Sequence, residues 1–140
     1  MALIEPLNIV LVEDSYEDAV LISHMIKKLN SEHTVEHIGK VDDAIECLKK
    51  PFDLCLLDYT LGAYTGIDVL RALSGAPLQG PIALLTGNRN PRLRRDAIAN
   101  GACSTLSKDY LTLDELAACI VESRDSFSCP SRKLAQSNPR

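Results

Sequence analysis

The segment LNIVLVED, residues 7–14, decides the architecture. Its first six residues carry a single polar side chain, Asn8, and the run closes on two acids, Glu13 and Asp14. A strand with one wet face alternates with period two, so a near-continuous apolar run of this length is a strand covered on both faces. Working outward, Ser15 supplies an N-cap, and Ala19, Ile22, Ile26 and Leu29 recur at helical spacing. Lys27 and Lys28 fall at the helix end, where cations suit the dipole. The strand-then-helix unit now repeats. Residues 34–38 read as a short strand, and Val41, Ala44, Ile45 and Leu48 mark a helix that stops before Pro51. Residues 52–57 are a second buried run ending in an acid, Asp58, with Gly62 and Gly66 in the loop beyond and Ile67, Leu70 and Leu73 on the next helix. Residues 81–85 form a fourth strand leading into Thr86 and Gly87. Asn90 and Pro91 then cap a helix that runs to Asn100 and closes on Gly101. Residues 103–107 form a fifth strand followed by Lys108. Thr112 with Glu115 is a capping box for a last helix over Leu113, Leu116, Ala117, Ile120 and Val121.

Five strands alternating with five helices imply parallel strands joined by right-handed crossovers, a doubly wound α/β sheet with helices on both faces. The chain has 140 residues, 46% hydrophobic and 24% charged, enough for one core and one domain, residues 1–124. Periodicity ends at Asp125, so residues 125–140, rich in Ser, Pro and Asn, are expected to be a flexible tail. Fifteen Lys plus Arg against nineteen Asp plus Glu leave a charge of -4, which argues against direct nucleic-acid binding. No apolar stretch reaches the roughly 20 residues that span a bilayer, and the start lacks a basic segment, apolar run and cleavage site, so a soluble cytoplasmic protein is expected. The five cysteines, Cys47, Cys55, Cys103, Cys119 and Cys129, lack the close spacing of zinc or redox pairs and read as reduced core residues.

In a parallel sheet Glu13, Asp14, Asp58, Thr86 and Lys108 all reach the carboxyl edge, where ligands of doubly wound sheets sit. Clustered carboxylates repel one another unless a cation compensates them, so the group predicts a hard, oxygen-ligated metal, magnesium. Lys108 and Thr86 offer a point charge and a hydroxyl to phosphoryl oxygens, and a carboxylate can attack phosphorus to form an acyl phosphate. Each residue alone has an ordinary reading as a cap, turn or surface group; their joint placement carries the inference. The turn after the first strand has no glycine-rich loop, which disfavours a dinucleotide. Arg89, Arg92, Arg94 and Arg95 form a basic cluster at the fourth helix, either a solvated face or a site for an acidic partner surface. His24, His33 and His37 lack metal spacing and are expected on the surface. Tyr16, Tyr59 and Tyr64 lie near the active edge, with packing as their default role.

Four motifs recur together here: Leu-Val-Glu-Asp at 11–14, Leu-Leu-Asp at 56–58 with Gly66 eight residues on, Leu-Leu-Thr-Gly at 84–87, and Leu-Ser-Lys at 106–108. In these the chain resembles a response-regulator receiver domain, the CheY-like, flavodoxin-like module phosphorylated in two-component phosphorelay signalling, over residues 7–124. The resemblance implies the strand order 2-1-3-4-5. It implies that Asp58 is the phosphoacceptor for a phosphohistidine on a sensor histidine kinase or phosphotransfer protein. It further implies that Asp14, Asp58 and the backbone carbonyl of Thr60 ligate Mg2+ with Glu13 nearby, and that Thr86 and Lys108 hold phosphoryl oxygens. Such a domain is no enzyme beyond magnesium-dependent self-phosphorylation and slow self-dephosphorylation; it switches the binding of a downstream protein, here expected at Arg92, Arg94 and Arg95.

The chain departs from the family pattern at three positions. Gly62 stands where proline is usual, implying a looser loop; Asp109 stands where a proline, often cis, follows the lysine; Thr105 stands at the usual aromatic switch position. The alternative function is a phosphorylation-independent interaction module with the same fold. An aspartyl phosphohydrolase is disfavoured, because Thr60 stands where its second acid would be.

Overall fold

Side chains alternate across each strand, so the apolar runs of the sequence are divided between two faces of one sheet. A computed structural model describes residues 5–87 and 90–128. Along the chain these form β1 (Asn8–Val12), α1 (Tyr16–Leu29), β2 (Thr34–Ile38), α2 (Val41–Leu48), β3 (Leu54–Asp58), β4 (Thr60–Leu61), β5 (Tyr64–Thr65), α3 (Gly66–Ala72), β6 (Ile82–Thr86), α4 (Pro91–Ala99), β7 (Ser104–Ser107) and α5 (Leu113–Ser128). The main sheet has the order β2-β1-β3-β6-β7 with every pair parallel. Counting only its five strands, that is the expected 2-1-3-4-5.

Ile9, Leu11, Leu54, Leu56, Ala83 and Leu85 face one way and pack with Ala19, Ile22 and Ile26 of α1 and Leu116, Cys119 and Ile120 of α5. Their neighbours Val10, Val12, Cys55, Leu57, Ile82 and Leu84 face the other way, against Ala44 and Leu48 of α2, Val69 and Leu70 of α3, and Ala97 of α4. Both cores meet on the central strand β3, which is buried along its whole length. The register pairs Val12 with Leu57, Asp58 with Leu85 and Thr86 with Ser107, so the polar residues that end these strands emerge at one edge.

Several expectations change. The loop after Asp58 is not irregular: β4 and β5 pair Thr60 with Thr65 and Leu61 with Tyr64, a hairpin turned by Gly62 at φ +64°. His33 is fully buried, because its Nδ1 accepts the Leu7 amide at 3.0 Å where the chain enters β1. The last helix continues to Ser128, past the end of the apolar spacing, with Arg124 tied across the fold to the Asp53 carbonyl at 3.2 Å. The rest of the expected tail, residues 129–140 including Cys129, lies outside the described residues, as do Asn88 and Arg89. Cys55 and Cys119 are buried and Cys47 and Cys103 half-buried, all four as free thiols. Burial raises the pKa of Cys55 and of Cys119.

Candidate functional site

The end of β1 turns outward because Glu13 and Asp14 follow its last apolar residue. The Glu13 amide still pairs with the Ile38 carbonyl at 3.0 Å, so its side chain is fixed beneath the sheet edge, fully buried, while Asp14 is exposed. Asp58 ends β3 and is 3% exposed. One carboxylate oxygen from each of Glu13, Asp14 and Asp58 lies within 4.8 Å of the others. Thr86 ends the next strand and is 6% exposed; its carbonyl accepts the Lys108 amide at 2.9 Å. The Lys108 ammonium then reaches Glu13 at 2.7 Å, Asp18 at 2.9 Å and Asp58 at 3.1 Å. The five residues nominated at the strand ends thus converge, and Thr60 opens the hairpin directly beyond Asp58.

Close approach of α3 to this edge depends on Gly66. A Cβ there would lie 2.7 Å from the Asp58 carbonyl and 2.6 Å from Leu84 Cδ1, so any larger residue pushes α3 off β3. At Gly62 the requirement is conformational and not steric: its φ is +64°, while a Cβ there would stand 4.0 Å from Asp14 Oδ2, an ordinary contact.

Three acids and one lysine leave the pocket short of positive charge. Burial pushes the Glu13 carboxyl up to about 7, helped by Asp58, while Lys108 and the Ser15 amide pull it down. Burial also disfavours the Lys108 cation, but its bonds to Glu13, Asp18 and Asp58 outweigh this and hold its pKa above the usual lysine value. Glu13 Oε1 is buried with the Lys108 ammonium 2.7 Å away as its ion-pair partner. Three carboxylates whose oxygens lie within 4.8 Å of one another, one of them fully buried, fit a small hard divalent cation.

The three departures from the family pattern also find their places. The peptide bonds of the described residues are all trans, including that after Lys108, and the turn there is made by Tyr110 at φ +60°. The Asp109 carboxylate lies against Gly87, 3.3 Å from where a Cβ would stand, beside Thr86. Thr105 is half-buried and its hydroxyl accepts from Arg94 Nη1 at 3.1 Å. Tyr59 packs against the core, whereas Tyr16 and Tyr64 are exposed. Asp18 was not singled out in the sequence; the signal was its place three residues after the N-cap Ser15, on the helix end that faces the strand ends.

A fold with this strand order and an acid–lysine cluster at its carboxyl edge defines a class, the receiver domains of signalling proteins. The family model "Response regulator receiver domain" matches residues 9–121, and the chain belongs to that family. It is 30% identical over 116 residues to the cyclic di-GMP phosphodiesterase response regulator RpfG of Xanthomonas campestris pv. campestris, covering 81% of this chain and 31% of that one. It is 30% identical over 105 residues to the cell cycle transcriptional regulator CtrA of Caulobacter vibrioides, covering 74% and 45% respectively. The chain thus spans less than half the length of these relatives. The signal receiver domain of a putative Luxo repressor protein from Vibrio parahaemolyticus superimposes with a TM-score of 0.76 at 22% identity, over 97% of this chain and 99% of that one. At that identity the likeness shows the fold. Receiver domains typically bind Mg2+ at an acidic pocket, and Glu13, Asp14 and Asp58 form such a group. They interact with histidine kinases and downstream effectors and are generally not enzymes beyond self-phosphorylation. Among the described residues no helix is long and apolar enough to cross a membrane.

Proposed function

We propose that this chain is a phosphoryl-accepting switch of the cytoplasm, in which Asp58 takes a phosphoryl group from a phosphohistidine on a sensor kinase or phosphotransfer protein. The observation that carries this reading is the setting of Asp58. It is a nearly buried carboxylate whose Oδ2 accepts from Lys108 Nζ at 3.1 Å, with two further acids within 4.8 Å. An oxygen of Asp58 forms the new bond to phosphorus as the bond from phosphorus to the imidazole nitrogen breaks and its electron pair leaves with the imidazole. Lys108 passes from the Asp58 oxygen to a phosphoryl oxygen, and the Thr86 hydroxyl, at the neighbouring strand end, donates to another. Asp14, Asp58 and the Thr60 carbonyl, with Glu13 beside them, would hold magnesium, which would supply positive charge to offset that of an anionic donor at the acidic edge. The residues mainly position the groups. Arg92, Arg94 and Arg95, on the helix that follows Thr86, are the surface offered to a downstream protein.

Intact-mass analysis after incubation with a small acyl phosphate tests the reading. One phosphoryl adduct is expected on the wild-type chain with magnesium, and none on Asp58→Asn or in the presence of a chelator. Equal labelling of the variant, or labelling indifferent to the chelator, rejects Asp58 as the acceptor.

A further inference from the structure

Three helices open on a hydroxyl residue followed three positions later by an acid: Ser15 with Asp18, Thr65 with Asp68, and Thr112 with Glu115. In two of them the capping box is complete. The Thr65 amide donates to Asp68 Oδ2 at 2.8 Å and the Asp68 amide to Thr65 Oγ1 at 3.2 Å. Thr112 and Glu115 make the same exchange at 3.0 and 3.1 Å. At α1 only half of the box forms. The Asp18 amide donates to Ser15 Oγ at 3.3 Å, but the Ser15 amide donates to Glu13 Oε2 at 3.1 Å. The buried glutamate takes over the cap, and the Asp18 carboxylate, released from it, lies 2.9 Å from the Lys108 ammonium.

We propose that Asp18 is a positioning residue for Lys108, holding the ammonium beside the acceptor while Glu13 and Asp58 are engaged by magnesium and the phosphoryl group. The inference rests on the phosphoacceptor reading of Asp58. Of the three acids around the ammonium, Glu13 and Asp58 belong to the acidic trio and Asp18 does not. As the inner acids turn to other partners, Asp18 remains as the anchor on the outer side, with its side chain 45% exposed and that of Lys108 21%. Lysine is a point charge on a flexible four-carbon stem, so an ammonium without a fixed partner loses orientation freely. The turn itself stiffens the anchor, because Glu13, Ser15 and Asp18 are linked in series by the two hydrogen bonds above. The Asp18 side chain is 45% exposed, so solvent screens its charge from an approaching anionic donor, while its contact with Lys108 is direct at 2.9 Å.

The test uses the full chain, beryllofluoride as phosphoryl mimic at saturating magnesium, and a separate magnesium titration, both followed by amide shifts. Asp18→Asn and Asp18→Ala are expected to weaken the mimic about fivefold while magnesium affinity changes less than about twofold, and Asp18→Glu to restore binding. In a Lys108→Ala background the Asp18 substitutions are expected to have no further effect. The Lys108 ammonium signal, read by NMR without any mimic, is expected to lose its order in Asp18→Ala. Mimic affinity equal to wild type in Asp18→Asn, an equal loss of magnesium affinity, or an effect that persists without Lys108 overturns the proposal. Should the wild-type chain itself not respond to beryllofluoride, the phosphoacceptor reading fails, and an ammonium signal unchanged in Asp18→Ala overturns the proposal in either case.

Discussion

His33 shows what a single residue does once the fold surrounds it. Its Nδ1 accepts the Leu7 amide, which puts the ring proton on Nε2, and Nε2 is buried without a partner. Lys27 donates to the His33 carbonyl, so a positive charge stands nearby. Burial first, and Lys27 second, lower the His33 pKa below its usual 6.5. The folded state therefore favours the neutral ring. The stability this confers is fully present above about pH 6.5 and is lost as the pH falls toward the lowered folded pKa. His33→Asn keeps an acceptor near the Nδ1 position and cannot titrate. Between pH 7 and 5.5 its melting temperature is expected to fall less steeply than that of the wild type; parallel slopes in the two proteins refute the assignment.

At the scale of elements, the short hairpin and α3 hold the loop after Asp58 in shape. The Thr65 hydroxyl caps α3 and the Asp68 carboxylate returns to the Thr65 amide, so one pair of side chains joins β5 to the helix that packs by Gly66 against Asp58. Thr65→Ala is expected to cost about 1 kcal/mol of unfolding free energy and Thr65→Ser much less, measured by urea denaturation. An alanine variant as stable as the wild type would show that the box adds nothing. The expectation of a looser loop at Gly62 came from proline's absence alone. A positive φ also permits a tight two-residue turn, and the pairing of β4 with β5 uses it.

Across the whole molecule, the proposed route from Asp58 to a partner runs over Thr86 to α4. No aromatic ring stands at Thr105; a hydrogen bond from Arg94 takes its place and joins α4 to β7. A phosphoryl group that draws Thr86 inward is expected to act on this joint and reposition Arg92, Arg94 and Arg95 for an acidic partner surface. Amide exchange with and without beryllofluoride is the measurement. The largest changes are expected over residues 90–95 and at Thr105; changes confined to α1 would place the responsive face there. The expected contribution of Arg89 and of the loop at Asn88 falls outside the described residues.

Much of this was readable from one dimension. Buried parallel strands require continuous apolar runs, and 8–12, 54–58 and 82–86 are written that way, so the doubly wound sheet and its polar edge followed from hydrophobic periodicity. Glu13, Asp14, Asp58, Thr86 and Lys108 were legible for the same reason, since each ends or directly follows a strand and parallel strands end together. The strand order itself rested on resemblance, because periodicity does not say which strands are neighbours. Three further features belong to tertiary structure alone. His33 reads as a polar surface residue until the Leu7 amide, 26 positions away, claims its nitrogen. The helix end beyond Asp125 has no apolar spacing, while Arg124 just before it is tied to Asp53, a contact 71 residues away in sequence. Asp18 has the spacing of a capping-box acid until Glu13 takes the Ser15 amide in place of its carboxylate and Lys108 arrives from 90 residues downstream. Local pattern encodes which side chains want burial, whereas the pairing of polar groups between distant segments exists only after the sheet has brought them to one edge.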